Sequence, residues 1–234
     1  MAIILNIDSA IETASLCLSQ NGVILSFKKN DSIKDHSVWM HSTIQLMLQE
    51  SGFSIQQLNA VSVTIGPGSY TGLRIGLATA KGLCFALKIP LITINTLEAM
   101  ADSAIQHFVQ TNKSLKTPAL FCPMIDARRM EVFTALYDIE NALIEAPKAL
   151  ILNSTSFEIE LEKNSIYFFG NGSNKWREHC THANACFESA PFDASKLMSI
   201  AEKCFAANKY TDLAYSEPLY LKEFYSHSTQ TTHP

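Results

Sequence analysis

The segment Ile65-Gly66-Pro67-Gly68-Ser69-Tyr70-Thr71-Gly72-Leu73-Arg74-Ile75-Gly76 carries the densest set of residues that could do chemistry. A glycine-rich turn between a strand and a helix can hold a phosphate on backbone N–H groups, or it can let two backbones touch. A P-loop needs GxxxxGK followed by Ser or Thr, and no lysine follows here; Lys81 lies far down the helix. A dinucleotide fingerprint needs glycine at its first, third and sixth positions. Gly66 and Gly68 fit, but Thr71 occupies the sixth and Gly72 comes one later. An anion at the helix N-terminus remains open. So does close packing: Gly72 and Gly76 lie four apart with Ala80 next, and a glycine inside a helix costs roughly 1 kcal/mol against alanine. That cost is offset where another backbone comes close, either within the domain or from another subunit.

Asp8 and Asp126 each end an apolar strand. Such a carboxylate, with Ser9 beside the first, can face a metal-bound nucleotide or cap the following turn. Asp126 is followed by Arg128, Arg129 and Glu131, an expected local ion-pair network. His36 and His41 are five apart, whereas a helical metal pair needs i,i+4 spacing, so they read as surface or capping residues. His179, Cys180, His182 and Cys186 are residue types that suit zinc, at spacings that match no standard site. No GxSxG elbow and no CxxC pair occurs. The reading assigns no metal ligand and no catalytic residue.

The elements that position these groups follow from periodicity. An apolar run over 2–8 predicts a central strand. Strands at 14–19 and 23–28 flank Asn21-Gly22, the strongest short hairpin signal. A helix is predicted from Ser37 to Glu50, a strand over 60–65, a helix from Thr71 to Leu87, a strand from Pro90 to Ile94 and a helix from Thr96 to Val109. The helix after the glycine turn has one stripe of Leu73, Leu77, Ala80, Cys84 and Leu87. A second holds Gly72, Ile75, Gly76, Thr79, Leu83 and Ala86. A helix apolar on so much of its surface is covered on more than one side.

The second half starts alike, with strands at 120–126 and 130–137, a turn near Glu140-Asn141, a strand at Ser165–Phe169, the turn Gly170–Ser173 and a helix at Ala194–Ala207. Ile125-Asp126 repeats Ile7-Asp8, which predicts an internal duplication with an eroded second copy. The resulting expectation is an α/β chain with a mixed sheet and flanking helices. Its N-terminal lobe covers 1–110 and its C-terminal lobe 111–225, with the last helix or strand free to return to lobe one. A disordered tail is expected at 226–234, and Thr111–Thr117 is the expected junction.

The 234 residues are 47% hydrophobic and only 17% charged, with a net charge of -4. No lysine- or arginine-rich run offers a polynucleotide a basic face, so RNA contact is expected only within a complex. The six cysteines lie mostly in apolar segments, as buried free thiols do. A soluble cytoplasmic protein is the simplest expectation, with no apolar run of membrane-spanning length.

Three segments together resemble the bacterial TsaB (YeaZ) family: Gly66–Gly76, Asp126-Ala127-Arg128 with Glu131-Val132-Phe133, and Glu217-Pro218-Leu219-Tyr220-Leu221. Ile7-Asp8-Ser9-Ala10 and the His36-Ser37 helix start also fit, and the resemblance covers about 2–225. It implies the two-lobed fold of actin, Hsp70 and sugar kinases, in which Asp8 and Ser9 are candidate nucleotide contacts. It further implies a role in forming N6-threonylcarbamoyladenosine in tRNA beside the anticodon, without catalysis by this chain. In the family TsaD is the transferase, TsaB its partner and TsaE an associated ATPase.

TsaD carries an HxxxH metal pair where this chain has Thr96-Leu97-Glu98-Ala99-Met100, and neither Thr96 nor Met100 offers an imidazole. The family pairs through two helices, which maps the TsaD interface onto Trp39, Met40, Thr43, Met47, Gly72, Ile75, Gly76, Thr79 and Leu83. A homodimer is expected for the chain alone. No cofactor of its own is implied, although ATP or ADP could sit at the TsaD boundary. Gly76→Leu is expected to weaken TsaD association and leave the monomer folded. The rival reading is a free-standing ATPase or kinase using Asp8, Ser9 and the Gly170–Ser173 turn.

Overall fold

The computed structural model describes residues 2–30, 36–111 and 114–222. The expected tail at 226–234, residues 112–113 of the expected junction and the side chain of His36 lie outside the described residues.

Lobe one is built on strands Ile3–Asp8 (β1), Ser15–Gln20 (β2), Val23–Lys29 (β3), Ala60–Gly66 (β4) and Leu91–Asn95 (β5). They form one sheet in the order β3-β2-β1-β4-β5. Asn21 and Gly22 both take positive φ (51° and 76°), which closes the β2–β3 hairpin. β1 pairs antiparallel with β2 and parallel with β4, and is buried along its whole length. A central strand covered on both faces reads as a continuous apolar run, as 2–8 does.

Helices His36–Glu50 (α1) and Tyr70–Leu87 (α2) cover one face, where Met40, Ile44, Met47, Leu77 and Cys84 meet Leu5, Ile7, Leu18 and Val63. Helix Thr96–Gln110 (α3) is capped by Asn95, whose side chain accepts from Leu97 N at 2.9 Å and Glu98 N at 3.2 Å. Its Leu97, Met100, Ala104 and Phe108 pack on Phe121, Ile125 and Tyr167 of lobe two.

Lobe two repeats the wiring. Strands Ala119–Asp126 (β6), Glu131–Tyr137 (β7), Leu143–Ile151 (β8), Ser165–Phe169 (β9) and Ala185–Phe187 (β10) lie in the order β10-β9-β6-β7-β8. Each strand matches its counterpart in lobe one, with Asp126 standing where Asp8 stands. The sheet of the second copy is complete. Its erosion is confined to the helices, Glu158–Lys163 (α4) and Ser173–Arg177 (α5), which are short.

The last helix, Met198–Ala206 (α6), packs back on the first sheet through Ala201, against Ile4, Ile92 and Ile94. A strap over residues 211–222 then crosses the molecule. Thr211 pairs with Leu91, and Lys81 Nζ donates to the carbonyls of Ala214 and Ser216 at 3.3 and 3.1 Å. Leu219 N donates to Ile65 O at 2.6 Å, and Lys222 reaches Glu131 of lobe two in an ion pair. The strap therefore touches both lobes. No described helix is long and apolar enough to cross a membrane.

Candidate functional site

The glycine turn is filled by the protein's own backbone. An added Cβ on Gly68 would stand 2.2 Å from Ala10 O, one on Gly72 2.0 Å from Ser9 O, and one on Gly76 2.2 Å from Ser9 Oγ. Ser9 Oγ donates to Gly72 O at 2.8 Å, and Ser69 N to Ala10 O at 2.7 Å. The β1–β2 loop thus packs against the inner side of the turn, and the outer side of residues 68–72 lines a cleft. At its start the strap closes the turn, since a Cβ on Gly66 (φ 118°) would meet Leu219 O at 2.6 Å.

This corrects the expected interface. Gly72 and Gly76 are buried, and the close approach they permit is to Ser9 within lobe one. Met40 and Met47 on the inner face of α1 are fully buried, and Thr43 and Thr79 are nearly so. None of these six offers a surface to another chain, and Gly76→Leu would strike the Ser9 loop before it met a partner. Trp39 is half-buried on α1, and Ile75 and Leu83 are half-buried at the edge of an open face of α2.

That face is a third stripe of α2, made of Arg74, Ala78, Gly82 and Phe85 at spacings of four, four and three. Phe85 is 78% exposed, and a Cβ on Gly82 would meet nothing within 4 Å. On α1, Val38 and Leu46 are exposed too. Sequence reasoning missed this stripe because it sorted α2 into two apolar faces; the signal was that Ala78, Gly82 and Phe85, outside both, are also small or apolar.

Asp8 sits at the base of the turn, fully buried. Its Oδ1 accepts from Thr64 Oγ1 at 2.8 Å and Ala10 N at 3.2 Å, while Oδ2 has no partner. Burial raises its pKa to about 6; the bonds from Thr64 and Ala10 oppose this, and the charge of Asp193 adds to it. Folding therefore favours the protonated acid. The contribution to stability is full below the unfolded pKa near 3.8 and is lost as pH rises through about 6, a swing of roughly 3 kcal/mol. Asp8→Asn should consequently flatten the dependence between pH 4 and 7 and stabilise the protein by about 1–2 kcal/mol at pH 7.5. Urea unfolding at several pH values checks this; parallel curves for the two proteins would refute it.

Thr96 and Met100 are buried packing residues. Thr96 Oγ1 has no hydrogen-bond partner, and the Met100 methyl lies 2.7 Å from where a Cβ on Gly170 would stand. His182 Nδ1 accepts from Asn184 N at 3.2 Å. Cys180 packs against the core of lobe two and Cys186 against the cluster shared with α3. No group of three His, Cys, Asp or Glu suited to a metal occurs among the described residues. His41 is exposed on α1, beside a groove of about 560 Å³ floored by Ile44, Leu48, Phe53 and Leu83.

Between the lobes lies a cleft of about 870 Å³. Lobe one lines it with Ala10, Ile11, Glu12 and the first turn of α2. Lobe two adds the β6–β7 loop, Phe133 and Asn171. Asp126 N donates to Asn171 Oδ1 at 2.9 Å. The Asp126 carboxylate takes Lys175 Nζ at 2.6 Å and Arg128 N at 2.6 Å. Partial burial pushes that carboxyl up, but these bonds and the charges of Lys175 and Arg128 outweigh it and hold the pKa below the usual range. The expected network with Arg128 and Arg129 does not form: among the described residues Asp126 pairs with Lys175 and Glu131 with Lys222, cations that the sequence did not point to. The Gly170–Ser173 turn lies at the cleft's lobe-two side, where Gly170 packs on Met124 O.

A family model described as "TsaD: tRNA N6-adenosine threonylcarbamoyltransferase" matches residues 28–230. The "tRNA threonylcarbamoyladenosine biosynthesis protein TsaB" of Bacillus subtilis (strain 168) is 31% identical over 174 residues, covering 73% of this chain and 72% of that protein. The protein of the same name from Escherichia coli (strain K12) is 28% identical over 226 residues, 94% of each chain. A solved structure titled "YeaZ from Pseudomonas aeruginosa" superposes with a TM-score of 0.75 at 21% identity, over 94% of this chain and all of that one, a likeness of fold.

Proposed function

Because the chain belongs to the TsaB (YeaZ) family, we propose that it is the non-catalytic partner of the TsaD threonylcarbamoyltransferase. In this reading it is required to form N6-threonylcarbamoyladenosine at the tRNA position next to the anticodon. One observation carries the reading: the two sides of α2 do different work. The inner side, with Gly72 and Gly76, is used up by Ser9 and holds the β1–β2 loop in place. The outer side, with Ala78, Gly82 and Phe85, is small, apolar and open. Small residues on a helix let a second helix approach closely, and an exposed apolar stripe seeks cover.

TsaD is the occupant proposed for this stripe, with α1 contributing Val38, Trp39 and Leu46. A second copy of the chain takes its place when TsaD is absent. The chain uses no cofactor or metal of its own, and ATP or ADP binds at the TsaD boundary if it binds at all. TsaE joins the pair, tRNA meets the assembled complex, and the work is done in the cytoplasm. The rival reading, a free-standing ATPase or kinase, needs a turn open to phosphate. Here residues 9 and 10 pack directly on Gly68, Gly72 and Gly76, and Asp8 stands fully buried behind them.

Size-exclusion chromatography with light scattering tests the pairing. The chain alone should run as a homodimer, and an equal amount of TsaD should convert it to a heterodimer. Two unchanged peaks after mixing would refute the partnership.

A further inference from the structure

The strap over residues 211–222 is fastened differently to the two lobes. On lobe one its anchors are close and partly buried. Thr211 Oγ1 accepts from Thr93 N at 3.2 Å and lies 2.8 Å from Thr93 Oγ1. Leu213 packs on the core that α1 and α2 share with the first sheet. Lys81 Nζ holds two strap carbonyls, and Leu219 N donates to Ile65 O. At Gly66 the strap backbone comes so near that a Cβ would meet Leu219 O at 2.6 Å. On lobe two the strap ends on an ion pair of Lys222 with Glu131. The lysine side chain is 46% exposed, and a pair so open to water is weak.

Glu131 belongs to the wall of the inter-lobe cleft. Its N donates to Arg128 O at 3.2 Å and its O accepts from Ala127 N at 3.1 Å, and Asp126, Ala127 and Arg128 line the cleft. A shift of that wall therefore pulls on Lys222. Two residues earlier in the strap stands Tyr220, whose Oη accepts from Arg74 Nε at 3.0 Å. The same guanidinium lies 4.0 Å over the ring of Tyr70, which belongs to the opposite wall. Arg74 begins the outer stripe of α2, the face given above to TsaD. The strap thus ties the aim of one residue on that face to the position of lobe two.

We propose that the strap is a clasp through which the opening of the cleft regulates TsaD binding. With the Lys222–Glu131 pair closed, Tyr220 holds Arg74 in its place on the α2 stripe. When the lobes part, the pair breaks, the end of the strap leaves lobe two, and Arg74 loses the bond that aims it. The pair is the release point because the other connection is far stiffer. Helix α3 joins the lobes through buried apolar contacts, Ala99 on the first sheet and Leu97, Met100 and Phe108 on the second. TsaD binds the clasped form more tightly, and by reciprocity TsaD keeps the clasp shut. The inference rests on the proposed partnership with TsaD.

The test is a double-mutant cycle. Lys222→Glu sets two carboxylates against each other at the end of the strap, and Arg74→Gln removes the group that the strap aims. The parent, both single variants and the double variant are titrated with TsaD by calorimetry. Lys222→Glu should weaken binding about tenfold, although residue 222 lies off the α2 stripe. In the Arg74→Gln background the same change should cost less than about twofold, because it has nothing left to act on. On the chain alone, NMR follows the Arg74 Nε–H. It should be protected from exchange with water in the parent and lose that protection in Lys222→Glu, while the amides of β1 and β4 stay protected and show that the variant is folded. Additive effects of the two substitutions would overturn the proposal, and so would an Arg74 signal that Lys222→Glu leaves unchanged. A parent chain that does not bind TsaD would sink the proposed function instead, and the NMR result would still decide whether the strap holds Arg74.

Discussion

Gly72→Ala is expected to destabilise the protein by about 3 kcal/mol, although it adds a single methyl group. The added carbon would stand 2.0 Å from Ser9 O and 3.2 Å from Ser9 C, both of them backbone. Neither atom can turn aside, so the β1–β2 loop must move and the bond from Ser9 Oγ to Gly72 O must break. Gly76→Ala meets a side-chain oxygen instead, at 2.2 Å. The hydroxyl can rotate at the cost of one buried hydrogen bond, so the loss should be roughly 1–2 kcal/mol. Gly82→Ala meets nothing within 4 Å and should raise stability by up to about 1 kcal/mol through helix propensity alone. Denaturant unfolding of the three variants reads this order directly. If Gly72→Ala and Gly82→Ala unfold at the same midpoint, the turn does not clamp the Ser9 loop.

The second large effect is expected at Gly82→Leu. Its side chain would project into open space on the outer stripe of α2, so the monomer should fold as well as the parent. Against a partner helix in close contact the same side chain overpacks the interface, at about 2 kcal/mol or roughly thirtyfold in affinity for TsaD. Phe85→Ala should weaken the pair by a similar amount for the opposite reason, since it removes an exposed aromatic anchor. Titration calorimetry with TsaD measures both. Wild-type affinity in the two variants would move the interface off this face of α2.

The three stripes of α2 also show how far sequence alone could reach. The Gly72–Gly76 pair was correctly legible as a close-approach signal, and periodicity placed the helix between the right strands. What periodicity cannot say is which of two backbones does the approaching. Ser9 is 63 residues away from Gly72 in the chain, and only the fold brings it there. Because Asn21-Gly22, the buried run of β1 and the repeated Ile-Asp carry strong local signals, lobe one and the start of lobe two could be read off directly.

β8 had no such signal. Its sequence Leu143–Ile151 holds Pro147 and does not alternate; it survives as a strand because it lies at the sheet edge, where a missing N–H is tolerated. The helices α4 and α5 are too short for a helical period to show. The pairings of Asp126 with Lys175 and of Glu131 with Lys222 join residues far apart in sequence. No local pattern announces them.

The central claim is that this chain enables a reaction it does not perform. The direct measurement is the nucleoside composition, by mass spectrometry, of tRNA incubated with threonylcarbamoyl-adenylate and TsaE plus this chain alone, TsaD alone, or both. The account predicts N6-threonylcarbamoyladenosine in quantity only when both are present, and none above background from this chain without TsaD. Modified adenosine formed by this chain in the absence of TsaD, or formed equally well by TsaD without it, would contradict the account.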